Sequence, residues 1–303
     1  MEVAGRWYIT YPSRACQFSI WPIADVHYGN RGCAVNVWQR DIDAIAADPY
    51  ALWFGLGDLG EYIAINDPRF DASVISEDMT PADLGDLGYV LGTRIRDRLS
   101  PIAGKCLGMG MGNHEMRYYR EKEQTHLHYW LLQEMAQAAG HAVPNLGYSA
   151  FFDLIFVRSP RTKGVTISRT VPKSVHFSED KKNGCGRFRL RFVTHHGAGA
   201  AQSRGGKANA LVRMATRFDA DVYVQAHNHT PDAQPVSTIG ANEKCNSIIE
   251  RRRLMVRTGP YLRTYAQGVT GYGERAMYEP TTLGAKPIHI IPDKRTFFAT
   301  VSP

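Results

Sequence analysis

Apolar positions along the chain switch between two rhythms. Residues 18–24 form a short apolar run with Phe18, Ile20, Trp21 and Ile23, broken by Pro22 and stopped at Asp25, which predicts a buried strand. Residues 35–47 place Val35, Trp38, Ile42, Ile45 and Ala46 near the helical period, as in a helix lying on a sheet. Residues 51–58 return to a continuous apolar run that ends in Asp58. Strand, helix, strand in this order predicts a βαβ unit. Further helices are predicted over 89–99, 126–139 and 207–218, and further strands over 105–111, 150–157, 164–170, 187–194 and 221–226. Asn183-Gly184 predicts a hairpin turn ahead of the strand at 187–194. Past residue 230 the rhythm weakens, leaving strand-like pieces at 253–258, 261–266 and 286–291. Residues 59–88 follow neither period and are predicted to run as a long excursion over a sheet edge.

Composition narrows the class. The chain has 303 residues, 44% of them hydrophobic, enough for a core that needs no disulfide staples. No run reaches the ~18 apolar residues of a membrane span. No apolar segment of signal-peptide type follows the first six residues, so no secretory leader is expected. The five cysteines are widely spaced and form no C-x-x-C pair, which favours reduced thiols in a cytoplasmic setting and disfavours a zinc knuckle. The formal charge of +7 permits an anionic partner such as nucleic acid without demanding one. Arg251-Arg252-Arg253 reads as a solvated basic face, with a phosphate-backbone contact as the alternative.

The candidate chemistry lies in five short motifs, each at or just past the C-terminal end of a predicted strand: Asp25-Val26-His27, Gly57-Asp58, Gly112-Asn113-His114-Glu115, His195-His196-Gly197 and His227-Asn228-His229. Open α/β sheets gather ligands beyond those strand ends. With the backbone extended, side chains at i and i+2 share a face, so Asp25 with His27, and His227 with His229, are expected to aim into one cleft. Alone, each motif is weak, because a histidine is usually core or surface and Gly-Asp usually marks a turn. Together they supply too many nitrogen and oxygen donors for one four-coordinate zinc, and they suit a pair of divalent cations. Two cations ~3.5–4 Å apart clamp both oxygens of an in-line phosphoryl displacement.

In this order the motifs closely resemble those of the calcineurin-like metallophosphoesterases, a superfamily of dinuclear phosphatases, phosphodiesterases and SbcD-type DNA nucleases. The resemblance covers about residues 25–229. It implies an α/β fold, a four-layer α-β-β-α sandwich of two mixed sheets flanked by helices. It implies a single domain over 1–303, with the excursion at 59–88 and strands at about 250–291 completing the second sheet. By the same resemblance Asp25, His27 and His229 hold a first metal, and Asp58 bridges. Asn113, His195 and His227 hold the second, with His196 the fallback for His195 and otherwise a supporting residue. His114 faces the phosphate as a catalytic histidine, and Glu115 either orients His114 or braces the local loop. Manganese is the foremost expectation, with iron, zinc or nickel as alternatives. The implied reaction is hydrolysis of a phosphate mono- or diester by a metal-bridging hydroxide. Two alternatives stay open: a DNA exo- or endonuclease, and a metal-containing binding module without turnover. Similar compact members occur in bacteria and phages, so a host cytoplasm is one implied setting. One departure stands out: Ala226 precedes the last histidines where the family carries glycine.

The phosphate ester is the expected partner; nucleic acid and the oligomeric state are left open, and no membrane association is expected. Tyr28, Asn30, Arg69 and Arg204 are candidate substrate contacts, because they flank the motifs or lie on adjoining loops. The glycine-rich stretch 197–207 lacks Walker A spacing.

Overall fold

The computed structural model describes residues 1–172, 186–199 and 203–300. Two mixed sheets face each other. The first contains β1 (Glu2–Tyr11), β6 (Ser149–Arg158), β7 (Thr166–Ser168), β8 (Arg187–His195), β9 (Val222–Gln225), β10 (Asp232–Ala241) and β11 (Ile248–Arg257). Its order is β10-β11-β9-β8-β6-β1-β7. The second contains β2 (Phe18–Ile23), β3 (Ala51–Leu56), β4 (Cys106–Gly110), β5 (Asn145–Gly147), β12 (Ile288–Ile291) and β13 (Thr296–Ala299), in the order β13-β12-β2-β3-β4-β5.

Alternation along the strands sorts their side chains into layers. Phe18, Ile20, Leu52, Phe54 and Leu56 from one sheet meet Trp7, Phe152, Phe156, Phe192, Val222 and Val256 from the other in the central core. On the outer face of the second sheet, Trp53 packs with Trp38, Ile42 and Ile45 of α1 (Val35–Ala47). Leu91 and Ile95 of α3 (Leu87–Leu99) and Leu131 and Met135 of α5 (His126–Ala139) complete that layer. On the outer face of the first sheet, Val193, Tyr223 and Met255 pack under Leu211 and Met214 of α6 (Arg204–Arg217). The result is the helix-sheet-sheet-helix layering that the family resemblance implies. Shorter helices are α2 (Pro81–Gly85), α4 (Asn113–Glu121) and α7 (Tyr272–Arg275). No helix among the described residues is long and apolar enough to cross a membrane.

Three expectations need correction. The piece at 261–266 is not a strand; Tyr261 N–H instead donates to the Asp25 carbonyl at 2.9 Å, tying this segment to the loop after β2. The strand predicted over 164–170 shrinks to Thr166–Ser168. Residues 232–241, where no strand was predicted, form the long β10, which pairs with β11 along its whole length. The Asn183-Gly184 turn lies outside the described residues.

Candidate metal centre

Both sheets deliver residues to one edge. The turn after β2 carries Asp25 and His27, that after β3 carries Asp58, and the turn after β4 leads into α4 with Asn113 and His114 at its start. From the other sheet come His196 after β8 and His227 and His229 after β9. The backbone there is not extended. Asp25, His27, Asp58, His227 and His229 all have positive φ, between 49° and 68°. Left-handed turns, rather than i/i+2 alternation, bring these side chains together. Two glycines make the approach feasible. Gly57 sits at φ 90°, and a Cβ on it would lie 2.0 Å from the Gly112 nitrogen. A Cβ on Gly112 would lie 2.1 Å from Asp58 Oδ1.

The turns are pinned to one another. Val26 and His27 N–H donate to the Asp58 carbonyl at 2.8 and 3.0 Å. Glu115, buried in α4, accepts from the N–H groups of Asp58, Leu59 and Gly112 at 2.7–2.9 Å. Burial and the Asp58 charge push the Glu115 carboxyl up to about 7, against the pull of those donors. Its hydrogen bonds among the described residues go to backbone N–H groups of the turns, which fits the bracing role rather than the orienting of His114.

The side chains form three overlapping groups whose ligand atoms lie within 4.8 Å of one another: Asp25, His27 and His229; His27, Asp58 and His114; and Asp58, His196 and His227. In the first group, His27 Nδ1 lies 2.8 Å from Glu61 Oε2, so Nδ1 carries the donated hydrogen and Nε2 is left free. Both His27 Nε2 and Asp25 Oδ1 are buried without a hydrogen-bond partner. The other Asp25 oxygen accepts from His227 N–H at 2.8 Å. In the last group, His196 Nδ1 donates to the Leu56 carbonyl at 2.7 Å. Its Nε2 then faces Asp58 Oδ2 at 3.2 Å and Asn113 Oδ1 at 3.1 Å. Burial opposes charging this imidazole, but the Asp58 and Asp25 carboxylates override it and hold its pKa up at about 10. Burial also acts against Asp58, whose carboxyl is nevertheless kept well below its usual range by His196 and His114.

These donors fit divalent cations. Buried polar atoms are normally paired. Two such atoms meeting in one group, Asp25 Oδ1 and His27 Nε2, are what a cation would satisfy, and in the other group the Asp58 and Asn113 oxygens converge on His196 Nε2. The set is nitrogen and oxygen only; the described cysteines all lie elsewhere.

The structure brings His196 into this cluster in place of His195. Strand β8 continues one residue further than predicted, pairing His195 with Ser149. His195 therefore stays in the sheet, where its Nδ1 accepts from Gly197 N–H at 2.9 Å and its ring meets Tyr148 edge-on. Tyr28 is also corrected. It is buried under α3, with its hydroxyl 3.1 Å from Asp78 Oδ2 and its ring against Trp38 and Arg98. Asn30 braces its own loop, accepting from Gly32 N–H at 2.8 Å and bonding Glu61. Arg69 lines a groove beside Asn113 and grips Asp67 with two N–H groups at 2.8 and 3.1 Å. Arg204 opens α6, and its side chain lies outside the described ones. Ala226, buried at the end of β9, is not in the left-handed region, so a Cβ there is tolerated.

No protein-family model matches the chain, and no curated protein matches it. Among solved structures it is similar to a metallophosphoesterase from Sphaerobacter thermophilus, at 11% identity over 93% of this chain and 86% of that one, with a TM-score of 0.36. A second, a conserved uncharacterized protein of predicted phosphoesterase type from Streptococcus pneumoniae TIGR4, has 10% identity over 91% and 84%, with a TM-score of 0.28. Superpositions that loose carry no argument, and the functional reading rests on the cluster itself.

Sequence reasoning missed Glu61. It stands three residues after Asp58 and touches both His27 and the neighbourhood of His114, whose Nδ1 bonds the Glu61 carbonyl. An acid inside the Gly57-Asp58 turn was the available signal. Tyr148 was missed as well; its hydroxyl donates to the Gly197 carbonyl at 2.6 Å and its ring lies edge-on to His196.

Proposed function

We propose that the chain is a phosphoesterase of the calcineurin-like metallophosphoesterase type, hydrolysing a phosphate mono- or diester with two divalent cations. The observation that carries this reading is the convergence of Asp58 Oδ2 and Asn113 Oδ1 on His196 Nε2 at 3.1–3.2 Å, beside Asp25 Oδ1 and His27 Nε2, which have no hydrogen-bond partner among the described residues. Asp25, His27 and His229 hold one cation, and Asn113, His196 and His227 the other. Asp58, which belongs to two of the three overlapping groups, would be the carboxylate shared between them. A mixed nitrogen and oxygen set without thiolate suits manganese through its oxygens and iron, zinc or nickel through its imidazoles. When bound, such a pair lowers the pKa of a water and neutralises charge building on a phosphoryl group.

The chain's own residues supply the rest. Asn113 contributes a neutral oxygen, which limits repulsion of the anionic ester. His114, with Nδ1 fixed on the Glu61 carbonyl, keeps Nε2 for a proton. Burial disfavours its charged form, but Asp58 and Glu61 raise its pKa. As water adds to phosphorus and the ester P–O bond breaks, that proton passes to the leaving oxygen. Glu61 keeps His27 in one tautomer.

The test is manganese-loaded protein with bis-p-nitrophenyl phosphate and p-nitrophenyl phosphate, alongside metal analysis. Two equivalents of metal and turnover lost in Asp58→Asn support the reading. Metal uptake of zero, or turnover retained in that variant, overturns it.

A further inference from the structure

Beside Asn113 a groove of about 700 Å³ opens along α4. Its wall includes Arg69, Met116, Arg117, Arg120, Tyr129 and Tyr148, and no carboxylate among the described residues. Asn113, Met116, Arg117 and Arg120 recur at helical spacing, so one face of α4 runs from the metal cluster outward through two guanidiniums. Arg117 lies one turn from Asn113, about 6 Å along the axis, and Arg120 about 10 Å away. Asp67 is buried behind this wall and positions two of the arginines: Arg69 grips it with two N–H groups, and Arg117 Nε lies 3.4 Å from it. Arg69 holds the Asp67 carboxyl down at about 2. Arg117 Nε also reaches Glu121 at 2.8 Å, leaving its terminal nitrogens for a ligand. Arg120 is exposed and has no ion pair among the described residues. Tyr129, on α5, is 60% exposed on the same groove, a large ring left in water.

We propose that this groove is a second anion subsite of the active centre, selecting esters that carry another phosphate about one helical turn from the scissile phosphorus and a flat ring against Tyr129. The proposal rests on the phosphoesterase reading above and names its substrate class. Guanidiniums pair phosphate oxygens through two parallel N–H bonds, and pre-positioned ones lose little freedom on binding. A groove of this volume holds a ligand of dinucleotide size rather than a long strand.

Binding is measured on the full chain by calorimetry in EDTA, where no ester is turned over, and turnover separately with manganese. Thymidylyl-thymidine with a 5′-phosphate should bind about ten-fold or more tightly than the same dinucleotide without it, and kcat/KM should follow the same order. Arg120→Gln and Arg117→Gln should each erase most of that margin, through KM rather than kcat. Equal binding of the two dinucleotides, or a margin that survives both substitutions, overturns the subsite. Tripolyphosphate binding as tightly as the phosphorylated dinucleotide overturns the ring contact. A ten-nucleotide oligothymidylate binding far more tightly overturns the size limit and favours a polymeric strand. Failure to hydrolyse both bis-p-nitrophenyl phosphate and p-nitrophenyl phosphate refutes the phosphoesterase reading, and the EDTA binding data still decide whether the groove prefers the second phosphate.

Discussion

The two halves of the cluster are built on the same edge but held differently. In the half made by Asp25, His27 and His229, every residue sits on a left-handed turn, and two buried polar atoms lack a hydrogen bond among the described residues, Asp25 Oδ1 having only His229 Nε2 at 3.6 Å. In the half made by Asp58, Asn113, His196 and His227, His196 Nε2 reaches both the Asp58 and Asn113 oxygens, His227 lies edge-on to His196, and Asn113 rides on a helix. Burying polar atoms unpaired is expensive, whereas a closed network is satisfied before any ligand arrives. The first half therefore depends on a cation to complete it; the second is already assembled. Glu61 on His27 and the Leu56 carbonyl on His196 play matching parts, each fixing which ring nitrogen faces inward.

The largest break comes at the residue shared by both halves. Asp58→Asn should lower turnover by roughly 10²–10³-fold, the scale seen when one stabilising group leaves a preorganised site. It should also lower metal stoichiometry, measured by elemental analysis after dialysis. Next, His196→Ala should leave one equivalent of metal bound, whereas His195→Ala should keep two; the reverse result would restore the register expected from sequence. Glu61→Gln should weaken metal binding in the first half by about 10–100-fold, read by competition with a chelating dye, with the second half much less affected. The smallest effect is on folding: Gly112→Ala should destabilise the chain by about 1–3 kcal/mol in urea, because its Cβ would displace Asp58 Oδ1 and His196 Cε1.

How much was legible follows from burial. The runs at 18–24 and 51–58 were readable because β2 and β3 are buried on both faces, and α1 because its apolar stripe is narrow. Helix α4 escaped because its sequence is mostly charged and only Glu115, Tyr118 and Tyr119 are buried. The outer part of β10 is exposed throughout, so no alternation marks it as a strand. The identity of the clustered residues was legible from motif order, but not the register at residues 195 and 196. One extra pairing in β8 decides that register, and no side-chain pattern reports it. Nor was the left-handed backbone visible, since aspartate and histidine do not announce positive φ as glycine does.

Those left-handed turns also make the site easy to lose. An L-residue held at positive φ costs about 1 kcal/mol or more relative to glycine. Glycine at position 58 or 229 would thus remove a candidate metal ligand and relax the chain with one substitution. Selection for folding alone would drift this edge towards a sturdier, silent form, and only selection for turnover would hold it where it is.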